Sequence, residues 1–457
     1  MTILIKNGTI VNADKEYRGD ILVQEGKIET IKPNLNPDDY NNVEVINAAG
    51  MLLLPGGIDP HVHMHLPTPA GFSSDDFNTG SKAALMGGTT TLIDFVTPQK
   101  GQKLCDALEQ LKSEAANCLT DFSFHVSPVE WRDSMPSEIE TCIKNGITSF
   151  KVYMAYKDSI GLEDEELKLV MHAVAKAGGI VTIHCEDGDA IEMIRNKFYQ
   201  EGKRSPHYHP FSRPPQAEAE AVKKAIDFAS EAKCPLYIVH VSSALSLEHI
   251  RRAQQKGQKV FAETCPHYLL LDDSRYEGTF NQTAPYVLSP PLRKREDNEA
   301  LWKALPDKTV STVGTDHCPF TMRQKQLGKD DFRKIANGAG GVEHRMKLLY
   351  TYGVRQNIIS LNHFVAATST NAAKIFGLYP QKGVLAEGSN ADIVVWNPLY
   401  EGVISSQSHI MNCDNDIFEN FDFTGRAEHV IAHGEIAVSN GIWDSNKKGG
   451  SFLFRKK

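Results

Sequence analysis

The chain has 457 residues, with 49 Lys+Arg against 57 Asp+Glu and a net charge of −8. Hydrophobic residues are 41% and charged residues 23%, an ordinary globular composition that excludes a disordered or fibrous chain. No long basic run precedes the last few residues, so nucleic acid is not an expected partner. No stretch of about 20 apolar residues exists to span a membrane. Eight cysteines are scattered without a C-x-x-C pair and read as small buried hydrophobes in a reducing compartment. The opening MTILIKNGTIV reads as strand rather than as a signal peptide. The expected compartment is the cytoplasm.

In chain order, residues 3–11, 20–23 and 43–46 are β-rich, with turn signals at Asn7-Gly8 and Glu25-Gly26. The far end reads the same way at 391–396 (ADIVVW) and 429–438 (HVIAHGEIAV). The two ends are expected to pair into one small discontinuous β-sandwich domain, 1–50 plus 383–457. Between them, apolar runs at 51–54, 89–96, 122–126, 147–154, 180–184, 236–241, 259–263 and 310–314 give eight candidate strands. Helical patterns separate most of them. Residues 163–177 are amphipathic, acidic at the start and stopped by Gly178-Gly179, and 216–232 form another helix. Residues 205–215 (SPHYHPFSRPP) read as a loop. Strands alternating with helices imply βαβ units and an α/β fold. Eight strands within about 260 residues fit a (β/α)8 TIM barrel over 51–382 better than an open doubly wound sheet. No G-x-G-x-x-G follows a strand, which lowers a dinucleotide reading.

The chemistry sits where the strands end. His61 and His63 follow the first strand with period-2 spacing, Lys151 lies on the fourth, His184 ends the fifth, His240 the sixth and Asp316 the eighth. All C-terminal strand ends of a barrel converge on one face, where active sites lie. Each residue alone carries little. His207 and His209 form an H-x-H pair expected by chance in an exposed loop, and His65 and His317 are expected to be structural, although His317 sits beside Asp316. Jointly the strand-end residues point to a metal site. Imidazole and carboxylate suit Zn²⁺, and also Mn²⁺, Co²⁺ or Fe²⁺. Six groups exceed what one tetrahedral ion with an open position takes, so two ions are expected. A cationic lysine between two cations is electrostatically wrong. A buried lysine, however, favours its neutral amine, which can combine with CO₂ to give a bridging carbamate anion.

This pattern resembles the amidohydrolase superfamily with a binuclear, carbamate-bridged centre, and within it the D-hydantoinase/dihydropyrimidinase family. The stretches that carry the resemblance are PGGIDPHVH (55–63), GITSFKVYMAYK (146–157), ETCPHYLLLD (263–272), SPPLR (289–293), GTDHCPF (314–320), NGAGGVEHRM (337–346) and GSNADIVVW (388–396). It covers nearly the whole chain. The resemblance implies that His61, His63 and Asp316 bind one ion and His184 and His240 the other, with carbamylated Lys151 (N6-carboxylysine) between them. It implies hydrolysis of a cyclic amide, a 5-substituted hydantoin or a dihydropyrimidine, to an N-carbamoyl amino acid by a metal-bridging hydroxide. Asp316 would be the general acid/base and Tyr156 the donor to the oxyanion. Main-chain groups of Ser289 and Asn337 would hold the ring amide, and a homotetramer or dimer is expected. Gly340-Gly341 departs from the family, whose members often carry a proline there. Apolar residues Met64, Leu66, Phe72, Tyr153 and Ile160 are expected to form a lid over bulky 5-substituents. The rival readings are an allantoinase- or dihydroorotase-like amidase, against which the YMAYK segment counts, and a non-catalytic scaffold such as the collapsin response mediator proteins, which have lost the ligands filled here.

Overall fold

The computed structural model describes residues 2–456. Eight parallel strands follow one another in sequence order: β1 (Gly57–Val62), β2 (Thr89–Val96), β3 (Asp121–Val126), β4 (Ser149–Tyr153), β5 (Ile180–His184), β6 (Leu236–Ile238), β7 (Val260–Thr264) and β8 (Thr312–Val313). Helices on the outside connect them, giving the (β/α)8 barrel. The helix Asp164–Ala177 stops where Gly178 turns left-handed at φ 74°, and Pro215–Glu231 forms the second expected helix.

The seam between β1 and β8 is closed largely by side chains, because β8 is only two residues long. One bridge pairs Val62 with His317. Fully buried Arg345 donates through Nη1 to Ile58 O at 2.8 Å and Val313 O at 3.0 Å. Asp59 accepts the Thr315 hydroxyl at 2.6 Å and its N–H at 3.2 Å. These contacts fix the backbone directly before His61 and Asp316.

The two chain ends form one nine-stranded sheet. Alternation decides its faces. Ile393 and Val395 pack with Ile3, Ile5 and Ile21 in a core of its own, whereas Val394 and Trp396 turn to the barrel core. Two sequence expectations fail here. Residues 51–54 are not the first barrel strand: Leu52–Pro55 pairs with Thr9-Ile10 and with Ile393–Trp396 in the outer sheet. The true first strand, Gly57–Val62, is masked in sequence by its glycine, proline and histidine. Asn7-Gly8 is not a turn but a bulge inside the single strand Thr2–Val11. A Cβ at Gly8 would lie 2.6 Å from the Leu53 side chain. Glu25-Gly26 does make a hairpin turn, with φ 49° and 76°.

The segment 205–215 is also more than a loop, since Tyr208–Ser212 is helical. His209 there is buried, not exposed, and its Nε2–H donates to Leu288 O at 2.7 Å. All eight cysteines are free thiols, six of them buried. Among the described residues no helix is long and apolar enough to cross a membrane.

Candidate metal centre and active site

The barrel brings His61, His63, Lys151, His184, His240 and Asp316 together at the C-terminal ends of its strands. Two of these residues leave their strands through unusual backbone. His240 and Asp316 have φ of 40° and 51°, the left-handed region that costs a non-glycine residue on the order of 1–3 kcal/mol. Each lies two or three residues past its strand, and the reversal turns its side chain inward. Tyr156, just past β4, is left-handed too, at φ 61°.

The side chains form two groups. In the first, Asp316 Oδ1 lies 3.1 Å from both His61 Nε2 and His63 Nε2. In the second, His184 Nδ1 faces His240 Nε2 at 2.8 Å. Donor atoms of His61, His240 and Asp316 all lie within 4.8 Å of one another, and the His61 and His240 ring centroids are 5.3 Å apart, so the groups adjoin. Lys151 is 1% exposed, with Nζ 4.8 Å from the Phe95 ring and 5.0 Å from the Tyr153 ring. Among the described residues its ammonium makes no hydrogen bond. Burial pulls its pKa down to about 8, although Asp316 and Glu263 oppose the shift. Phe95 also stacks on His63 at 4.8 Å and meets His61 edge-on at 4.7 Å. It forms an apolar floor shared by three of the six groups.

This donor set fits divalent ions. Burial holds His63, His184 and His240 below the usual imidazole value, so each is neutral with one lone-pair nitrogen to offer an ion. His61 differs: burial works against its charge, but the Glu263 and Asp316 carboxylates overturn that and raise it to about 9. An ion would take the place of that proton. Glu263 Oε1 accepts His61 Nδ1–H at 2.6 Å, which fixes the tautomer that leaves Nε2 facing Asp316. Glu186 accepts the His184 Nε2–H at 2.8 Å, leaving Nδ1 toward His240. Arg213, also buried, donates to the same Glu186 oxygen.

Sequence reasoning missed Glu263 and Glu186 as supports, although Glu263 opens the ETCPHY stretch and Glu186 lies two residues past His184. The position of Glu263 also gives a reason for Gly314 in GTDHCPF: a Cβ there would stand 2.6 Å from Glu263 Oε2. His317, by contrast, does not reach the centre. Its Nε2–H donates to Asp75 at 3.1 Å and its Nδ1 accepts from Gly341 N at 3.1 Å. A second histidine–carboxylate group lies elsewhere: Asp416 Oδ2 accepts from His344 at 2.7 Å and His409 at 2.9 Å. His409 Nε2 donates onward to Cys413 O at 2.9 Å, so the group reads as a tie between chain segments.

Around the centre, the Tyr156 ring lies 5.4 Å from the His184 ring and 6.4 Å from Tyr153. Ser289 Oγ–H donates to Asn337 Oδ1 at 2.8 Å. Among the described residues, neither the N–H nor the C=O of Ser289 or of Asn337 meets a protein partner. Leu66 packs beside Cys318, Phe320 and Ala336, and Phe72 is exposed and stacked on His65 at 3.9 Å. Met64 does not join them. It is buried against the helix Phe77–Met86, where a Cβ at Gly80 would stand 2.3 Å from its sulfur.

The profile of the Amidohydrolase family matches residues 52–437. The chain belongs to the amidohydrolase family. It is 42% identical to the D-hydantoinase of Geobacillus stearothermophilus, covering 100% of this chain and 97% of that protein. It is 39% identical to the dihydropyrimidinase of Rattus norvegicus, covering 99% and 89%. The crystal structure of dihydropyrimidinase from Brevibacillus agri NCHU1002 superposes with a TM-score of 0.98 at 41% identity, covering 100% and 99%. An L-hydantoinase from Arthrobacter aurescens gives 0.90 at 28% identity over the full length of both chains.

Proposed function

We propose that this amidohydrolase opens the ring amide of a 5-substituted hydantoin or a dihydropyrimidine, giving an N-carbamoyl amino acid. The observation that carries the reading is the meeting of His61, His63 and Asp316 with His184 and His240 around an unpaired, buried Lys151. The full-length likeness to D-hydantoinases and dihydropyrimidinases gives it the substrate class.

In this reading His61, His63 and Asp316 hold one divalent ion and His184 and His240 the second, zinc foremost, with manganese, cobalt or iron suited to the same donors. Lys151, whose neutral amine would add to CO₂ and release a proton, would supply an anionic carbamate ligand to this centre. Bound ions supply Lewis acidity and acidify the attacking water. Asp316 takes the proton of that water and delivers it to the departing ring nitrogen. Tyr156 donates its O–H to the carbonyl oxygen as charge builds there. The free main-chain groups of Ser289 and Asn337 hold the ring amide, and Leu66 and Tyr153 border the 5-substituent. We further propose that the barrel, within 51–382, carries all of this chemistry, that the ends 1–50 and 383–457, together with the outer-sheet strand Leu52–Pro55, form the small domain, and that the protein works in the cytoplasm as a homotetramer or dimer.

The test pairs metal analysis with turnover on protein purified without chelator. About two ions per chain, with ring opening of dihydrouracil or a 5-aryl hydantoin, is the expected result. Turnover of allantoin or dihydroorotate alone would move the substrate class. No metal and no turnover, even after Zn²⁺ and bicarbonate are added, would overturn the reading. Light scattering checks the oligomer.

A further inference from the structure

Lys325 ends the short helix Met322–Lys325 and is 1% exposed. Its ammonium has no carboxylate partner among the described residues. Instead Nζ donates to three main-chain carbonyls: Val287 O at 2.9 Å, Ala336 O at 2.8 Å and Gly338 O at 2.8 Å. An ammonium has three N–H groups, and all three are used. Burial pulls this group down to about 7. A cation kept in such a place without a counter-ion is costly, and the three carbonyls are what offset the cost.

The positions of those carbonyls carry the inference. Val287 precedes Ser289 by two residues, and Ala336 and Gly338 flank Asn337. The Gly338 N–H also donates to Val287 O at 3.1 Å, so both loops meet at one carbonyl. In a trans peptide the C=O and the following N–H point in opposite directions. With Ala336 O drawn to Lys325, the Asn337 N–H must point away from it. With the Gly338 N–H drawn to Val287, the Asn337 C=O must point away from Val287. The main-chain donor and acceptor of Asn337 are thereby turned away from Lys325 and Val287 and meet no protein partner among the described residues, and the Ser289 hydroxyl holds the Asn337 side chain.

We propose that Lys325 is a positioning residue for substrate binding: it orients the peptide groups on both sides of Asn337, and ties them to the segment that leads into Ser289, so that Asn337 presents a preset donor–acceptor edge to a cyclic amide. The proposal rests on the reading above that these main-chain groups hold the ring. Lys325 touches neither the substrate nor the metal ligands, so its loss acts on binding rather than on the chemical step.

The experiment compares wild type with Lys325→Met, which keeps the apolar stem and removes all three donors, and Lys325→Gln, which keeps two. Steady-state kinetics with dihydrouracil, metal content and hydrogen–deuterium exchange over 335–341 are measured on each. The expected result is a rise in KM of about tenfold or more for Lys325→Met, since small misplacements of binding groups cost factors of this order. A smaller rise is expected for Lys325→Gln. In both, kcat stays within about threefold, metal content is unchanged and exchange quickens over 335–341. Wild type without turnover would remove the functional reading and this proposal with it. Active wild type with an unchanged KM in the variants would overturn the proposal alone. A fall in kcat with lost metal, or failure of both variants to fold, would make Lys325 a general structural residue and overturn it as well.

Discussion

Replacing Glu263 by glutamine removes a negative charge from beneath the histidines and little else. Glu263 is fully buried, and Oε1 accepts from His61 Nδ1 at 2.6 Å and from His240 N at 3.1 Å. Its Oε2 accepts the Tyr237 hydroxyl at 2.7 Å. A glutamine oxygen can keep the first two bonds. Its NH₂ would then face Tyr237, whose hydroxyl also lies 2.6 Å from Thr312 Oγ1 and can turn to donate there. What is lost is charge. Hydrogen bonds to a charged group contribute about 1.5–3 kcal/mol against about 0.5–1.5 for neutral pairs, a difference of about 1–1.5 kcal/mol at His61. At neutral pH the incoming ion must displace a proton, because His61 is held at about 9. Both cations lose attraction to the missing carboxylate, but a divalent ion loses about twice as much as a proton does. The net effect is weaker binding, by about tenfold and up to the ~100-fold typical of such supporting carboxylates. Competition of the metal-free protein with a zinc chelator measures this directly, and melting of the same metal-free protein shows that the fold survives. Unchanged or tighter zinc affinity in a folded Glu263→Gln protein would refute the reasoning.

Tyr156→Phe should lower kcat by about 10²–10³ with little change in KM, as expected for a donor used only as charge develops; equal changes in both would deny it that role. Asp316→Asn should cost at least the 10²–10⁴ of a general acid/base, and zinc stoichiometry on the same sample separates loss of proton transfer from loss of an ion. Burial brings Lys151 to about 8, so its neutral fraction is ~1/10 at pH 7 and ~1/2 at pH 8, against ~1/3000 at pH 7 for an ordinary lysine. Reactivation of chelated enzyme by Zn²⁺ and bicarbonate should therefore quicken about tenfold per pH unit below 7.5 at fixed dissolved CO₂, and level off above 8.5. Reactivation without CO₂, or at a rate independent of pH, would exclude the carbamate. Gly314→Ala should push Glu263 aside, because its Cβ would stand 2.6 Å from Oε2; full zinc affinity in that variant would show that the close approach is unimportant.

The residue types at the strand ends were legible in the sequence because their signals are local. A histidine or aspartate that closes an apolar run, or a lysine inside one, marks a barrel's C-terminal face whatever the rest of the chain does, and strand–helix alternation needs only short windows to be seen. The same locality explains the failures. Residues 51–54 read as the first strand because they are the apolar run, whereas Gly57–Val62 is broken up by glycine, proline and histidine; only pairing with Ile393–Trp396 assigns the apolar run to the outer sheet. His209 reads as an exposed loop histidine until folding buries it with Nε2–H on Leu288 O, and His317, read as structural, is held there by Asp75 and Gly341. Glu263 and Lys325 look like ordinary charged residues until folding removes their water and leaves His61 Nδ1 facing one and three carbonyls facing the other. The sequence by itself determined which groups could do chemistry here. The tertiary structure decided which of them meet and which hold the others, because a buried polar group is defined by the partner that replaces its water, and that partner comes from a distant part of the chain.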